Sequence, residues 1–117
     1  MLRFALALSA GLLIVAGTAP MLLAEEPERP DLSEEVLSDP DLIAHGEELF
    51  KDQCTLCHGR TAYPGKAPML QPRRYDAEFV YDRVAFGFRD MPAWEDMFPE
   101  EDIVAMVAYV MSDGFSH

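Results

Sequence analysis

The sequence predicts an all-α domain. Three segments carry apolar residues at helical spacing, and each follows a residue that is suited to begin a helix. No segment shows the alternation of apolar and polar residues that indicates a β-strand. The chain has 117 residues, of which 50% are hydrophobic and 26% are charged, and these values suit one small globular domain. Its two cysteines are too few for a dense disulfide framework.

The N-terminus is typical of an export signal. Arg3 precedes an uncharged, mostly apolar run from Phe4 to Ala24, and acidic residues follow at once. We therefore expect residues 1–24 to be a signal peptide that is cleaved near Ala24, although Leu22 is larger than the residue usually found two places before a cut. A run of this length can also span a bilayer as a helix, so an uncleaved membrane anchor is the alternative. Both interpretations predict that the remaining chain is exported.

The first helix is expected after an acidic linker. Residues 25–38 are acidic, contain prolines and lack apolar periodicity, which predicts a solvated linker with one turn of helix. Asp39 can then cap a helix whose first position is Pro40, so the domain is expected to span residues 39–117. Gly46 lies on the apolar face of this helix, where a glycine costs about 1 kcal/mol relative to alanine. We interpret Gly46 as a point of close approach by another helix.

A second helix follows a long loop. Residues 59–75 are rich in proline and glycine, which predicts a loop that wraps something or moves. Asp76 can cap a helix that runs to about Phe86 and stops at Gly87. We expect Arg83 to point to solvent beside the apolar stripe of this helix. The expected stripe consists of Phe79, Val80 and Val84.

The last helix is expected to begin near Pro99. Three acidic residues follow this proline, and they suit the positive end of the helix dipole. Ile103, Val107 and Val110 share one face, which we expect to form the core side. Gly114 is expected to end the helix.

The chemistry-bearing motif is Cys54-Thr55-Leu56-Cys57-His58, a CxxCH sequence at the end of the first helix. This spacing allows both thiols to add to the two vinyl groups of one haem, while the histidine reaches the iron as an axial ligand. A disulfide between the cysteines would leave the histidine unexplained. A zinc site needs four ligands, and no second Cys/His pair is present. A thioredoxin-like pair would require a βαβ pattern, so the motif predicts one covalently attached haem c.

The second axial ligand has several candidates, of which Met91 is the best placed. Pro92 moves Met91 out of helical geometry, so that its thioether is presented from a loop. Met97 is not followed by a proline, and Met69 is close in sequence to the proximal histidine. The remaining donors are expected to be surface or core residues: His45, His117, Met106 and Met111. A His58/Met91 pair closes both axial positions and raises the reduction potential.

These motifs resemble those of the class I monohaem c-type cytochromes, the small bacterial electron carriers. The resemblance covers residues 40–113 and rests on Gly46 with Phe50, CxxCH, the Ala67-Pro68-Met69-Leu70 segment, Met91-Pro92-Ala93-Trp94 and Ala108-Tyr109-Val110. It implies a cytochrome c-like fold, with three to four helices wrapped around one haem and the first and last helices crossing near Gly46.

The resemblance also implies roles around the haem. The Pro68 carbonyl would accept a hydrogen bond from the second ring nitrogen of His58. Trp94 would lie near the haem, with its N–H close to a propionate, and Arg73 and Arg74 are weaker candidates for that contact. Pro99 departs from the family pattern, in which a serine-type cap often precedes the last helix, and this puts the start of that helix in doubt.

Charge limits the function classes. The formal net charge is −12, which repels phosphate backbones and excludes a nucleic-acid-binding protein. Residues 53–89 nevertheless contain six basic and three acidic residues, so one region is locally positive. This region is either part of an ordinary mixed surface or a feature that orients the protein in encounters.

The sequence therefore predicts a periplasmic one-electron carrier rather than an enzyme. Its expected partners are redox proteins, such as a periplasmic dehydrogenase and an oxidase or reductase. A membrane-anchored subunit of a respiratory or dehydrogenase complex is the alternative if residues 4–24 are retained, and membrane contact is expected only then. A haem-based gas sensor or a peroxidase-like enzyme would require a labile Met91 and distal acid/base groups.

Overall fold

The computed structural model describes residues 29–60 and 65–115. The predicted export segment and His117 lie outside the described residues. Five α-helices are present: α1 (Glu34–Leu37), α2 (Pro40–Leu49), α3 (Thr55–His58), α4 (Ala77–Phe86) and α5 (Glu100–Met111). A π-helical turn, Phe50–Cys54, joins α2 to α3, and a 3₁₀ turn spans Pro72–Arg74. The described part of the chain contains no β-strand, and the predicted all-α class is confirmed.

The helix starts follow the sequence prediction. The Asp39 carboxylate accepts hydrogen bonds from the backbone N–H groups of Asp41 and Leu42 at 2.8 and 3.2 Å. The Asp76 carboxylate accepts one from the N–H of Phe79 at 2.8 Å. These contacts satisfy N–H groups that have no partner within the helix. Within the described ranges, no helix is both long enough and apolar enough to cross a membrane.

Helix α5 is the centre of the fold. Every residue from Ile103 to Val110 is buried, whereas the sequence predicted burial of one face. The reason is that α1, α2 and α4 all pack against α5, so its sides are covered by different elements. The helix begins at Glu100, directly after Pro99, and it ends at Met111, before the predicted stop at Gly114.

The crossing of α2 and α5 confirms the interpretation of Gly46. An ideal Cβ at Gly46 would lie 2.5 Å from the Ala105 carbonyl carbon and 3.0 Å from the Tyr109 Cβ, so only glycine fits. Next to this crossing, the ring centres of Phe50 and Tyr109 lie 5.5 Å apart. Phe115 completes the group, with ring centres 5.0 Å from Phe50 and 5.2 Å from Tyr109. Its role was not anticipated from the sequence.

The apolar side of α4 differs from the predicted stripe. The buried residues are Val80, Tyr81, Val84 and Ala85. Phe79 is 40% exposed, because it lies to one side of the contact with α5 and its ring stacks on Tyr75 with centres 5.0 Å apart. The prediction for Phe79 was therefore wrong, and the buried side is centred one residue further along the helix.

The second half of the predicted linker is in contact with the domain. Residues 29–38 include the single helical turn α1. Leu32, Val36 and Leu37 are partly buried and pack against the core. Arg29 also forms an ion pair with Asp82 of α4 at 2.7 Å, so this segment is fastened to two helices.

Candidate functional site

The CxxCH motif lies at the end of one continuous helical stretch. Helix α2 passes into the π-helical turn, which ends at Cys54, and Cys57 and His58 belong to α3. π-Helical turns occur mostly as single insertions in α-helices, frequently at functional sites. The stretch ends at Gly59, whose φ is 77°. No side-chain pattern in the sequence signals the π turn, and it was not predicted.

The loop after the motif is fastened to the motif backbone. The Ala67 N–H donates a hydrogen bond to the Cys57 carbonyl at 2.9 Å. An ideal Cβ at Gly65 would lie 2.7 Å from the His58 carbonyl carbon and 2.8 Å from that of Cys57. The absence of a side chain at Gly65 therefore allows this loop to pack directly on the motif.

The side chains of the motif have the chemistry that haem attachment requires. Both cysteines are free thiols, and Cys57 is exposed. Burial, followed by the neighbouring Cys57, raises the pKa of the Cys54 thiol to about 11. Burial lowers the pKa of His58 and the backbone of Pro68 opposes this shift. The resulting preference for neutral imidazole matches the form that binds a metal ion.

The Nδ1 atom of His58 is buried without a hydrogen bond of standard geometry. The Pro68 backbone nevertheless opposes part of the lowering of the His58 pKa that burial causes, which is consistent with a weak interaction. Such a buried nitrogen is unusual in a folded protein and points to a specific role. An imidazole whose second nitrogen binds iron, with Nδ1 directed to a backbone carbonyl, provides that role.

Met91 lies in a tight turn after α4. The Phe88 N–H donates to the Met91 carbonyl and the Met91 N–H donates to the Phe88 carbonyl, both at 3.0 Å. Gly87, with φ 71°, ends α4 as predicted. An ideal Cβ at Gly87 would lie 2.5 Å from the Met91 carbonyl oxygen, so a larger residue would displace the turn. Met91 itself is half-buried against the edge of the core.

Trp94 follows the turn and is anchored to α4. Its backbone N–H donates to the carbonyls of Val84 and Ala85 at 3.1 and 3.0 Å. Its indole packs against Phe98 with ring centres 5.7 Å apart. The backbone from Met91 to Trp94 is therefore held by hydrogen bonds at both ends.

Arg73 and Arg74 line a cleft of about 410 Å³ between the 3₁₀ turn and the end of α5. Leu70, Tyr75 and Met111 are among the other residues that line it. The cleft therefore combines two cationic side chains and the Asp113 carboxylate with apolar side chains. The cysteines and the histidine of the motif are not among its lining residues.

The other candidate iron ligands have different surroundings. His45 was expected to be an ordinary surface residue, but its Nε2 lies 2.7 Å from the Asp102 carboxylate and joins α2 to α5. Met106 is 1% exposed and belongs to the core, as expected. Met69 and Met97 are 49% and 65% exposed. Met97 lies in a turn in which its N–H donates to the Trp94 carbonyl at 2.9 Å, but unlike Met91 it is largely exposed.

The residues present fit a covalently attached haem. The motif supplies two free thiols and a neutral imidazole with a buried, unpartnered nitrogen. A thioether is presented from a turn that two backbone hydrogen bonds close. This combination suits a macrocycle with an iron atom.

Arg83 contacts the turn that carries Met91, and this contact was not predicted from the sequence. It was expected to point to solvent, but its guanidinium carbon lies 4.7 Å from the ring centre of Phe79 and 4.1 Å from that of Phe88. The four-residue spacing of Phe79 and Arg83 on one helix face could have indicated the first contact. The second contact depends on the turn after α4 and has no local signal.

Comparison with known proteins identifies the family. The family described as "Cytochrome C oxidase, cbb3-type, subunit III" matches residues 41–110. The chain is 32% identical over 74 residues to cytochrome c6 of Euglena gracilis, covering 56% of this chain and 85% of that protein. It is 30% identical over 98 residues to the cbb3-type cytochrome c oxidase subunit FixP of Sinorhizobium medicae, covering 68% of this chain. The chain spans 34% of the length of that subunit.

A solved structure supports the same fold. Cytochrome CL from the marine methylotrophic bacterium Methylophaga aminisulfidivorans superimposes with a TM-score of 0.58 at 20% sequence identity. The match covers 76% of this chain and 69% of that one. With this fold, the CxxCH site and the matching family, the chain belongs to the cbb3-type subunit III family of cytochrome c domains and is a small c-type cytochrome that carries haem c.

Proposed function

We propose that this chain is a periplasmic one-electron carrier with one haem, attached through Cys54 and Cys57 and ligated by His58 and Met91. When bound, the haem supplies a one-electron couple. His58 and Met91 would hold the iron and exclude external ligands, so the haem would pass electrons without substrate chemistry. The carrier is proposed to connect a dehydrogenase or membrane complex to a terminal acceptor.

The observation that carries this proposal is the Met91 turn. Two reciprocal hydrogen bonds to Phe88 and the close packing on Gly87 fix the backbone of Met91. A preorganised thioether loses little conformational freedom when it binds the iron, which favours a closed sixth position. His45, by contrast, is already paired with Asp102.

The periplasmic location rests on the sequence. A CxxCH motif behind an uncharged N-terminal run is typical of an exported cytochrome. Pro68 and Trp94 are proposed to complete the haem surroundings, Pro68 through its carbonyl near His58 and Trp94 through its indole.

A second candidate function is a membrane-anchored subunit of a respiratory complex. The similarity to the FixP subunit and the family description favour it, and an uncleaved Phe4–Ala24 segment would supply the anchor. A chain that stays in the membrane fraction after a high-salt wash supports the subunit, and a chain that appears in the periplasmic extract supports the free carrier.

The axial ligand is tested by replacing Met91 with alanine. We expect Met91→Ala to lose the thioether absorption band of the ferric protein and to bind carbon monoxide in the ferrous protein, because the sixth position is then open. Optical spectra with and without carbon monoxide measure both changes.

Met97→Ala is the matched control, because Met97 is an exposed methionine of the following loop. It is expected to keep the thioether band and to remain unreactive towards carbon monoxide. If Met91→Ala keeps the band, another side chain is the ligand. If the wild-type protein already binds carbon monoxide, the closed carrier is wrong and a sensor or enzyme takes its place.

A further inference from the structure

The turn that carries Met91 contains a strained residue. Arg89 has φ 54°, which lies in the left-handed region that residues with a Cβ rarely adopt. Such a conformation persists only where neighbouring contacts impose it. The contacts around the turn therefore decide whether it stays closed.

Contacts at both ends anchor the segment from Phe88 to Glu95 on α4. At one end, Trp94 and Glu95 donate backbone hydrogen bonds to Ala85 at 3.0 and 3.2 Å. At the other end, the anchor is a side-chain stack in which the Arg83 guanidinium carbon lies 4.1 Å from the ring centre of Phe88. Met91 lies between these two anchors.

The stack acts directly on the Met91 backbone. A guanidinium over an aromatic face is attracted by the negative centre of the ring. Phe88 is joined to Met91 by its two backbone hydrogen bonds, so a displacement of Phe88 opens the pair. Arg83 also contacts Phe79 at 4.7 Å, which holds the guanidinium in place from the side of α4.

We propose that Arg83 and Phe88 form a clamp that keeps the Met91 turn closed and so holds the Met91 thioether on the iron. This inference rests on the proposed function, because it requires Met91 to be an axial ligand. Arg83 is a positioning residue: it sets the fraction of molecules in which the sixth position is open.

Imidazole titration of the ferric protein measures this fraction. Imidazole competes with the thioether for the sixth position, and its apparent affinity rises in proportion to the open fraction. We expect Arg83→Met to bind imidazole about fivefold more tightly, the factor expected for the loss of one partly exposed cation–π contact. Phe88→Leu is expected to bind imidazole at least as tightly as Arg83→Met, because it also removes the contact of Arg89 with the Phe88 ring at 5.0 Å. The double variant is expected to bind imidazole as tightly as Phe88→Leu alone, because Phe88→Leu already removes the contact that Arg83→Met removes.

Phe86→Leu is the matched control. Phe86, the last residue of α4, is exposed like Phe88, but its ring pairs with Tyr81 rather than with the turn. If Arg83→Met and Phe88→Leu bind imidazole no more tightly than Phe86→Leu does, the clamp is wrong, and the ligation by Met91 is unaffected by this result. The clamp is also wrong if the imidazole affinity of the double variant rises by the product of the two single effects, since the two residues would then act separately.

A Met91→Ala background separates the clamp from the ligand. There, Arg83→Met is expected to change imidazole affinity no further, because no thioether remains to be held. A fivefold change that persists would mean that Arg83 controls access to the iron, and the clamp would be wrong. Imidazole affinity of Met91→Ala equal to that of the wild-type protein would contradict the proposed ligand itself.

Discussion

Gly46 shows how one residue fixes the relation of two helices. Its missing side chain allows the backbone of α2 to approach the Ala105 carbonyl of α5. A carbonyl group within a helix cannot move aside without moving the helix. The cost of glycine in a helix, about 1 kcal/mol relative to alanine, is therefore offset by the packing that the close approach permits.

We expect Gly46→Ala to destabilise the protein by about 1–3 kcal/mol, because overpacking at the crossing exceeds the gain in helix propensity. Gly114→Ala is the control, since an ideal Cβ there would lie 3.9 Å from its nearest neighbour, the Ser112 Oγ, and it is expected to change stability little. Denaturant unfolding of the holoprotein measures both. A Gly46→Ala variant as stable as the wild-type protein would show that the helices separate at little cost.

At the scale of elements, α1 extends the domain beyond the helices that the motifs indicate. Its turn is short, and a four-residue helix has little stability of its own. It is held by the packing of Leu32, Val36 and Leu37 against the core and by the Arg29–Asp82 ion pair. The ion pair is exposed and contributes little, so the apolar contacts carry the attachment.

Leu37→Ala tests this attachment. Because Leu37 is partly buried, we expect the substitution to lower the free energy of unfolding by about 1–2 kcal/mol, somewhat less than at a fully buried leucine. Glu35→Ala, at an exposed position of the same turn, is expected to leave the stability unchanged. Equal stabilities of the two variants in denaturant unfolding would mean that residues 29–38 behave as a solvated linker.

The elements also show which structural features are encoded locally. Asp39 and Asp76 cap their own helices, so the sequence around each of them was sufficient to predict the helix start. Gly46 was interpretable because a glycine is costly inside a helix and this one lies on the apolar face, where a close contact can offset the cost. The complete burial of α5 was not predictable, since it depends on three other elements packing around it.

In the candidate site, too, some features are encoded locally and others depend on the packing of distant residues. The CxxCH spacing and the X-Pro restriction on Met91 are local, and both were recognised in the sequence. The packing of Gly65 on the motif backbone and the stack of Arg83 on Phe88 join residues that are separated by a loop. The pairing of His45 with Asp102 joins two helices. Contacts of this kind become visible only in the folded chain.

At the scale of the whole molecule, the distribution of charge matters more than its sum. The formal net charge is −12, yet residues 53–89 contain six basic and three acidic residues. Arg60 lies two residues after His58, and Lys66 lies in the loop that is fastened to the motif backbone. The motif therefore lies in a locally cationic part of an acidic protein.

The salt dependence of electron transfer reveals which charge an approaching reagent experiences. At an ionic strength of 0.1 M, charges beyond about 10 Å are screened, so the local field should dominate. We expect the rate of oxidation by the ferricyanide anion to fall as salt is added, despite the net negative charge, and the Arg60→Gln/Lys66→Gln variant to lose most of this dependence. Glu34→Gln on α1, an exposed acidic position of another element, should leave it unchanged. A rate that rises with salt would mean that the overall negative charge governs the encounter, and the locally positive region would then have no role in orienting this cytochrome.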